Sequence, residues 1–370
     1  MTRNELLAPA AIAIAIALAI VAVLLLGPYA VSVDGYPQWI TRGTTVADLV
    51  AQHRVRAFPG DLHDVAGGLI MPREGGPQRV EVNGSVASSA TVIRFGAVVV
   101  SERGRDSVEP TVAVSVETTP PLQYRGRGPV ESVEASGTPG EVRVVRGAVS
   151  GIVLDRVEVS PAVPVTVRRE PAWPGRKRVA LTFDDGPWPG QTERIVAELK
   201  HAGARGTFFM VGYLATRNAG IARDVAAAGM EIGAHSQSHK LLQHASHAVI
   251  RSEISKGIAS VQRVIGRRPV FYRPAGGSVN AYVFLEAKRE NVRVVIWTVD
   301  PRDWSRPGTR AIARRVLDNI RPGSVVLMHD GGGNRSQTIA ALKLVLHGLK
   351  ARGYEMVTLS QLYSPPPAKP

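Results

Sequence analysis

The sequence predicts an α/β protein, with about seven parallel strands in a sheet or incomplete barrel, preceded by an apolar N-terminal helix and a β-rich region. Three observations carry this. From Arg178 to Tyr363, short β-branched or aromatic runs alternate with helical patterns, as parallel strands joined by crossover helices do. Between residues 31 and 168, valine and threonine alternate with polar residues between Gly and Pro clusters, as in small all-β modules. Leu6 to Leu26 runs for 21 residues without a charge.

That apolar run matches the roughly 20 residues needed to cross a bilayer. Arg3 and the α-amine precede it against one Glu5, and the first charge after it is Asp34. This balance favours an inside N-terminus with the rest of the chain outside. A cleaved signal peptide is the competing reading. Its apolar core runs about 7–15 residues, and Pro28-Tyr29-Ala30 makes a poor cleavage site. The expectation is therefore a membrane anchor or uncleaved signal over residues 1–30, and a single-pass protein with its bulk extracytoplasmic.

In the middle region, strands are expected at Gln78–Val82, Val92–Ser101, Thr111–Thr118, Glu141–Val145 and Val153–Val159. A short helix is expected at Thr45–His53, opened by Thr44 or Thr45. Asp61, His63 and Asp64 lie close together and read as a solvated loop rather than a metal site. The spaced glycines of Gly137–Gly151 faintly resemble wall-associated β modules of bacterial surface proteins. Otherwise the region 31–168 reads as a spacer. Residues 169–177 are a linker by composition, and 364–370 a Pro-rich tail.

The 370 residues hold 44% hydrophobic and 21% charged residues, an ordinary globular mix. No cysteine is present, so disulfides, Cys-ligated zinc and a thiol nucleophile are excluded. Net charge is +14. Of this, +12 lies between Arg178 and Tyr363, where 26 basic residues face 14 acidic ones. A basic surface suits an anionic partner such as wall polymer or lipid headgroup, although Arg and Ala richness also follows from genomic composition. No aromatic–basic interleaving of a nucleic-acid module is present, so no nucleic-acid partner is expected.

The C-terminal strands are expected at Val179–Phe183, Thr207–Val211, Glu231–His235, Val270–Arg273, Arg293–Thr298, Ser324–His329 and Glu355–Leu359. Helices are expected at Thr192–His201, Ala219–Ala228, Ala248–Ile265, Ala281–Glu290, Thr309–Asn319 and Ser336–Ala351. Thr309 and Ser336 can cap, and Gly203, Gly229, Gly266 and Gly353 follow helix ends. In such folds ligands bind at the C-terminal strand ends. Five of the seven ends carry ionisable residues: Asp184-Asp185-Gly186-Pro187, His235-Ser236-Gln237-Ser238-His239, Arg273-Pro274-Ala275-Gly276-Gly277, Asp300-Pro301-Arg302-Asp303-Trp304 and His329-Asp330-Gly331.

His235 and His239 are four apart, so on a helical turn both imidazoles reach one point, as metal ligands require. One Asp with two His makes a three-ligand site with open positions. Of Asp184 and Asp185, one can ligate while the other accepts a proton. Arg273 can orient a carboxylate. His329 is a candidate general acid, with Asp300 or Asp303 to hold its tautomer. Trp304 offers an apolar wall for sugar. His244 and His247 read as surface residues, and His201 and His347 as polar helix-end residues.

The set TFDDGP, HSQSH, RPAGG, DPRDW and LMHDGGG, in this order, resembles the polysaccharide deacetylases of carbohydrate esterase family four, the NodB-homology domain. The resemblance covers residues 178–363. It implies a deformed (β/α) barrel of about seven parallel strands and metal-dependent removal of N-acetyl groups from a cell-envelope polysaccharide, with peptidoglycan the expected polymer. It implies Asp184 as general base, and Asp185, His235 and His239 as ligands of one divalent metal. Zinc is the expected ion, with cobalt, nickel or manganese also suited to such a set. Arg273 would orient the base, Asp303 would tune His329, and His329 would protonate the departing amine. Trp304 and Leu327 would line the groove, and the Gly276 N–H would face the oxyanion. One departure stands out: Ala275 and Gly276 replace the Pro-Tyr usual in the third motif, which bears on specificity. Alternatives are the same chemistry on soluble chitooligosaccharide or another acyl group, or a catalytically silent wall-binding protein.

Overall fold

The computed structural model describes residues 7–364, with side chains from residue 12 to 364. A helix covers Leu7–Leu26 without a charged residue. Among the described residues no helix is long and apolar enough to cross a membrane. The expected span begins at Leu6, and its first residues lie outside those with described side chains. The Pro-rich tail likewise lies outside the described residues beyond Ser364.

Two compact units emerge, one of residues up to Val116 with Val142–Glu158, the other of Glu117–Glu141 with Val159 onward. The first unit contains a five-stranded sheet in the spatial order Tyr36–Ile40, Tyr29–Val33, Val98–Glu102, Arg79–Val82, Ser85–Val86. Its core is built from Val31, Val33, Ile40, Leu49, Val80 and Val99. The expected short helix forms at Val46–Ala51, where Thr45 caps and Asp48 completes a capping box. This satisfies two amides that would otherwise be unpaired.

The second unit is a ten-stranded sheet. Its strands are β1 (Leu122–Gly126), β2 (Val130–Ala135), β3 (Val165–Glu170), β4 (Arg178–Gly186), β5 (Gly206–Met210), β6 (Glu231–Ala234), β7 (Phe271–Tyr272), β8 (Arg293–Val295), β9 (Val325–His329) and β10 (Glu355–Met356). The order is β1-β3-β2-β8-β7-β6-β5-β4-β9, with β10 on β4. Strands β4 to β10 pair in parallel, as expected. A bridge from Val299 to Val326 joins the continuation of β8 to β9, which closes a small, irregular barrel.

Around it stand α1 (Thr192–His201), α2 (Gly212–Arg217), α3 (Ala219–Ala227), α4 (His247–Ile265), α5 (Ala281–Arg289), α6 (Thr309–Asn319), α7 (Ser336–Ala351) and α8 (Leu359–Tyr363). Alternation along β4 sends Val179, Leu181 and Phe183 outward onto these helices. Ala180 joins Phe209, Phe271 and Val325 inside. Thr182 and Asp184 share that inward parity.

Four expectations need correction. The linker and spacer boundary fails: β1, β2 and β3 come from the supposed spacer and extend the catalytic sheet, β2 antiparallel to β8. Residues 168–170 are strand, not linker. The last strand stops at Met356, because Thr358 and Gln361 form a capping box and start α8. Thr309 and Ser336 do not cap; Gly308 and Arg335 occupy those positions without side-chain caps. Finally, α2 was missed. The glycines after helices behave as expected: Gly203, Gly229, Gly266 and Gly353 all have positive φ, where a Cβ is strained.

Candidate active site

Asp184 and Asp185 leave the end of β4, and their backbones part company there. Asp185 takes φ 74°, uncommon for a residue with a Cβ. The turn is so tight that a Cβ on Gly186 would lie 2.0 Å from Asp330 Oδ2, and one on Gly331 would lie 1.9 Å from the Asp185 carbonyl oxygen. The glycines of both motifs are thus forced by close approach. Asp330 is fully buried, accepts the Thr192 hydroxyl at 2.5 Å and leaves Oδ1 unpaired. Burial pushes its pKa up to about 7.

Arg273 follows β7 and is wholly buried inside the barrel. Its NH1 donates to Asp184 Oδ1 at 2.8 Å and to Thr182 Oγ1 at 2.7 Å. Its Nε and NH2 donate to the carbonyls of Val295 and Ile296 at 3.2 and 3.1 Å. The guanidinium also lies 4.1 Å from the Phe209 ring centroid. Burial lowers the Arg273 pKa, and Asp184 opposes that. A buried ion pair is tolerated only with its hydrogen-bond capacity largely met, and here four of the five guanidinium N–H groups find acceptors.

His235 and His239 follow β6. Their four-residue spacing works, but not on a helix as expected. The segment is a loop with Ser236 at φ 63° and His239 at φ 62°. Glu253 of α4 ties it down, accepting the amides of Gln237 and Ser238 at 3.1 and 2.8 Å and the Ser238 hydroxyl at 2.7 Å. The loop presses on α4 where a Cβ at Gly257 would lie 2.6 Å from the Ser236 carbonyl carbon. Three positive-φ residues around one cluster mark strain held by the surrounding structure.

The three sequence-predicted metal ligands converge. Asp185 Oδ1 lies 2.9 Å from His239 Nε2 and 3.4 Å from His235 Nε2. The His235 Nδ1 contacts the Arg273 carbonyl at 2.7 Å, so Nδ1 donates and Nε2 keeps its lone pair for an ion. Asp185 Oδ1 is nevertheless buried with no partner of hydrogen-bonding geometry. An acceptor oxygen and two imidazole nitrogens facing one point, with no hydrogen bond joining them, fit a divalent cation better than they fit one another. Burial would raise the Asp185 carboxyl, but the two imidazoles outweigh it and hold it far below the ordinary range.

His329 ends β9. Its Nδ1 lies 2.7 Å from Asp303 Oδ1, and its backbone N–H donates to Asp303 Oδ2 at 3.0 Å. Thr338 of α7 donates its hydroxyl to the same Oδ2 at 2.8 Å. Asp303, not Asp300, is therefore the partner. Asp300 Oδ1 caps its own turn at the Arg302 amide. Burial works against the imidazolium of His329, but Asp303, with Asp184 and Asp185 behind it, outweighs this and holds its pKa above the ordinary value. For a residue expected to act as a general acid, which works while protonated, a raised pKa would extend activity toward higher pH. Asp303→Asn removes the main raising cause, and the alkaline limb of kcat should move to lower pH, read as acetate release across pH. An unmoved limb would assign it to another group.

Leu327 lies two residues before His329 on β9 and is buried; period-two alternation gives both the same face. Trp304 is half exposed beside Asp303. Gly276 sits at φ 60°, and no acceptor takes its N–H among the described residues. Leu241 covers it, 3.0 Å from where a Cβ would lie. Sequence reasoning missed the roles of Thr182, which stands inside the TFDDGP motif but was given none, and of Glu253 and Thr338, which hold the histidine loop and Asp303 from helices with no motif of their own.

Elsewhere, Asp61 and His63 meet Asp106 rather than Asp64. Arg103 already bridges both carboxylates at 2.8 Å, and Asp64 accepts the amides of Ala66 and Gly68 in a turn. His247 is not a free surface residue: it stacks on Tyr282 and lies 2.8 Å from the buried Glu286.

Residues 173–295 match the polysaccharide deacetylase family. The chain is similar to a peptidoglycan-N-acetylglucosamine deacetylase of Bacillus cereus, 39% identical over 188 residues, half of this chain and 88% of that protein. It is also similar to a chitooligosaccharide deacetylase of Azorhizobium caulinodans, 34% identical over 193 residues, 49% of this chain and 92% of that one. Among solved structures, a peptidoglycan N-acetylglucosamine deacetylase bound to 4-naphthalen-1-yl-N-oxidanyl-benzamide superposes with TM-score 0.50 at 34% identity, covering 52% of this chain and 91% of the other.

Proposed function

We propose, for a chain that belongs to the polysaccharide deacetylase family, metal-dependent removal of acetyl groups from the N-acetylated sugars of peptidoglycan. The observation that carries this reading is one rim where a base and a ligand on β4, two ligands after β6 and an acid at the end of β9 converge. Asp185, His235 and His239 would hold the ion. When bound, a zinc or similar ion supplies Lewis acidity for the acetyl carbonyl and acidifies a water.

The chain's own groups do the rest. Asp184 takes a proton from the attacking water, with Arg273 fixing the carboxylate's position. The Gly276 N–H is free to donate to the oxyanion as the carbonyl becomes tetrahedral. His329, charged through Asp303, gives its proton to the sugar nitrogen, and acetate leaves a free amine. Trp304 and Leu327 would wall the groove. Similarity to the two peptidoglycan deacetylases supports the polymer as substrate. The likeness to the rhizobial enzyme keeps soluble chitooligosaccharide as the second reading.

The test is acetate release by the full chain in non-ionic detergent, from purified peptidoglycan and from chitin oligomers, after chelation and after adding back zinc or cobalt. Acetate from peptidoglycan, lost on chelation and restored by metal, is expected. Release from chitin oligomers alone would replace the polymer by the soluble substrate, and none from either would overturn the activity. We also place the enzyme outside the cytoplasm, tethered by the uncharged N-terminal run. Recovery in a carbonate-washed membrane fraction, with the catalytic unit protease-accessible in spheroplasts, is the expected result.

A further inference from the structure

A basic cleft lies before the N-terminal ends of β4 and β9, whose other ends carry the rim, with Thr298, beyond β8, also in its wall. It has a volume of about 620 Å³ and is lined by Arg127, Trp173, Arg176, Asn319 and Arg321 among others, with no acidic residue. Arg176 lies two residues before β4, whose far end carries Asp184. Arg321 lies four residues before β9, whose far end carries His329. Five strand residues at about 3.3 Å each keep the cleft well clear of the reacting groups.

Three features make it more than a charged surface. Two nearby carboxylates are already paired, Glu170 with Arg293 at 3.7 Å and Glu355 with Arg178 at 2.9 Å, and the exposed Asp318 is not part of the lining. The cleft's walls are fixed by backbone contacts. Trp173 N–H donates to the Leu362 carbonyl at 3.1 Å, and Gly323 N–H to the Arg178 carbonyl at 2.8 Å. A Cβ at Gly128, whose φ is 132°, would lie 1.8 Å from the Glu170 carbonyl oxygen. Trp173 itself is half exposed, presenting an indole beside three guanidinium groups. Arg321 spends NH1 on the Ile320 carbonyl at 2.7 Å and keeps its other donors.

An aromatic face suits the apolar side of a sugar ring, and arginine forks suit carboxylates. A fixed, concave cleft suits a polymer unit better than a planar lipid surface. We propose that this cleft is a second, non-catalytic subsite for a carboxylate-bearing stretch of wall polymer. This rests on the peptidoglycan reading above. Neutral chitin oligomers lack the recognised charge and would pass it by.

The test uses the full chain in non-ionic detergent and the double variant Arg127→Gln/Arg321→Gln. The probes are a disaccharide-peptide cut from peptidoglycan, neutral chitohexaose, and phosphatidylglycerol vesicles. The variant should bind the disaccharide-peptide about tenfold more weakly. Its KM for peptidoglycan should rise, with kcat and turnover of chitin oligomers unchanged. Unchanged affinity for the disaccharide-peptide would overturn the proposal. So would a loss confined to vesicle binding, which would assign the cleft to a lipid surface. Failure of the peptidoglycan reading shows separately, as no acetate from peptidoglycan with unaltered protein.

Discussion

Asp184→Asn should lower acetate release by roughly 10³-fold or more, within the range found when a general base is removed. Asparagine keeps an oxygen for the Arg273 NH1 that now lies 2.8 Å from Asp184 Oδ1, so the barrel should still fold. What is lost is the basic lone pair next to the ion site. Asp184 itself is not part of the convergent ligand set, so metal content should persist. The measurement is initial rate with metal analysis on the same sample. Activity within tenfold of the unaltered enzyme would remove Asp184 from the role of base. Metal lost together with activity would make it a ligand instead.

The second large effect is on stability. Arg273→Leu would strand the Asp184 carboxylate, which is only 3% exposed, and leave the carbonyls of Val295 and Ile296 without their donors. Breaking a buried pair from one side costs about 3–5 kcal/mol. For a unit of this size that lowers Tm on the order of 10 °C. Combining it with Asp184→Asn removes the uncompensated charge. The double variant should therefore melt above Arg273→Leu alone, a coupling that a thermal-melt cycle measures. Equal melting of Arg273→Leu and the unaltered protein would show that the pair contributes little.

Much of this was legible in the chain. The six long helices and seven strand starts follow from periodicity and glycine stops, and the five motifs picked out the residues that the fold brings together at one rim. What escaped shares one cause. β1, β2 and β3 fall in stretches read only as spacer or linker, because nothing local says that β2 will pair with β8, more than 150 residues away. Glu253 and Thr338 look like ordinary helix residues until the fold brings them to the histidine loop and Asp303, and Thr182, although inside a motif, shows its role only once Arg273 reaches it. The loop at His235–His239 defeated a helical reading because left-handed residues do at that spacing what a helical turn would have done. Thr358 and Gln361 ended a strand early by satisfying their own amides, a local signal that β-branched Val357 and Thr358 masked.

The strands borrowed from before residue 171 also bear on how this enzyme can be cut, shuffled or inherited. A catalytic cassette trimmed at Arg178 would expose the edge of β8, because β2 supplies its antiparallel neighbour at Val130 and Glu131. Naked edges recruit other chains, so such a fragment should be prone to self-association even with its chemistry intact. Recombination that transplants the whole ten-stranded sheet would have to carry two separated segments, Glu117–Glu141 and Val159–Glu170, with the largely strand-forming Val142–Glu158 of the first unit between them. The accessory region and the hydrolase are therefore interleaved in this chain rather than strung in series, so no single cut separates them intact.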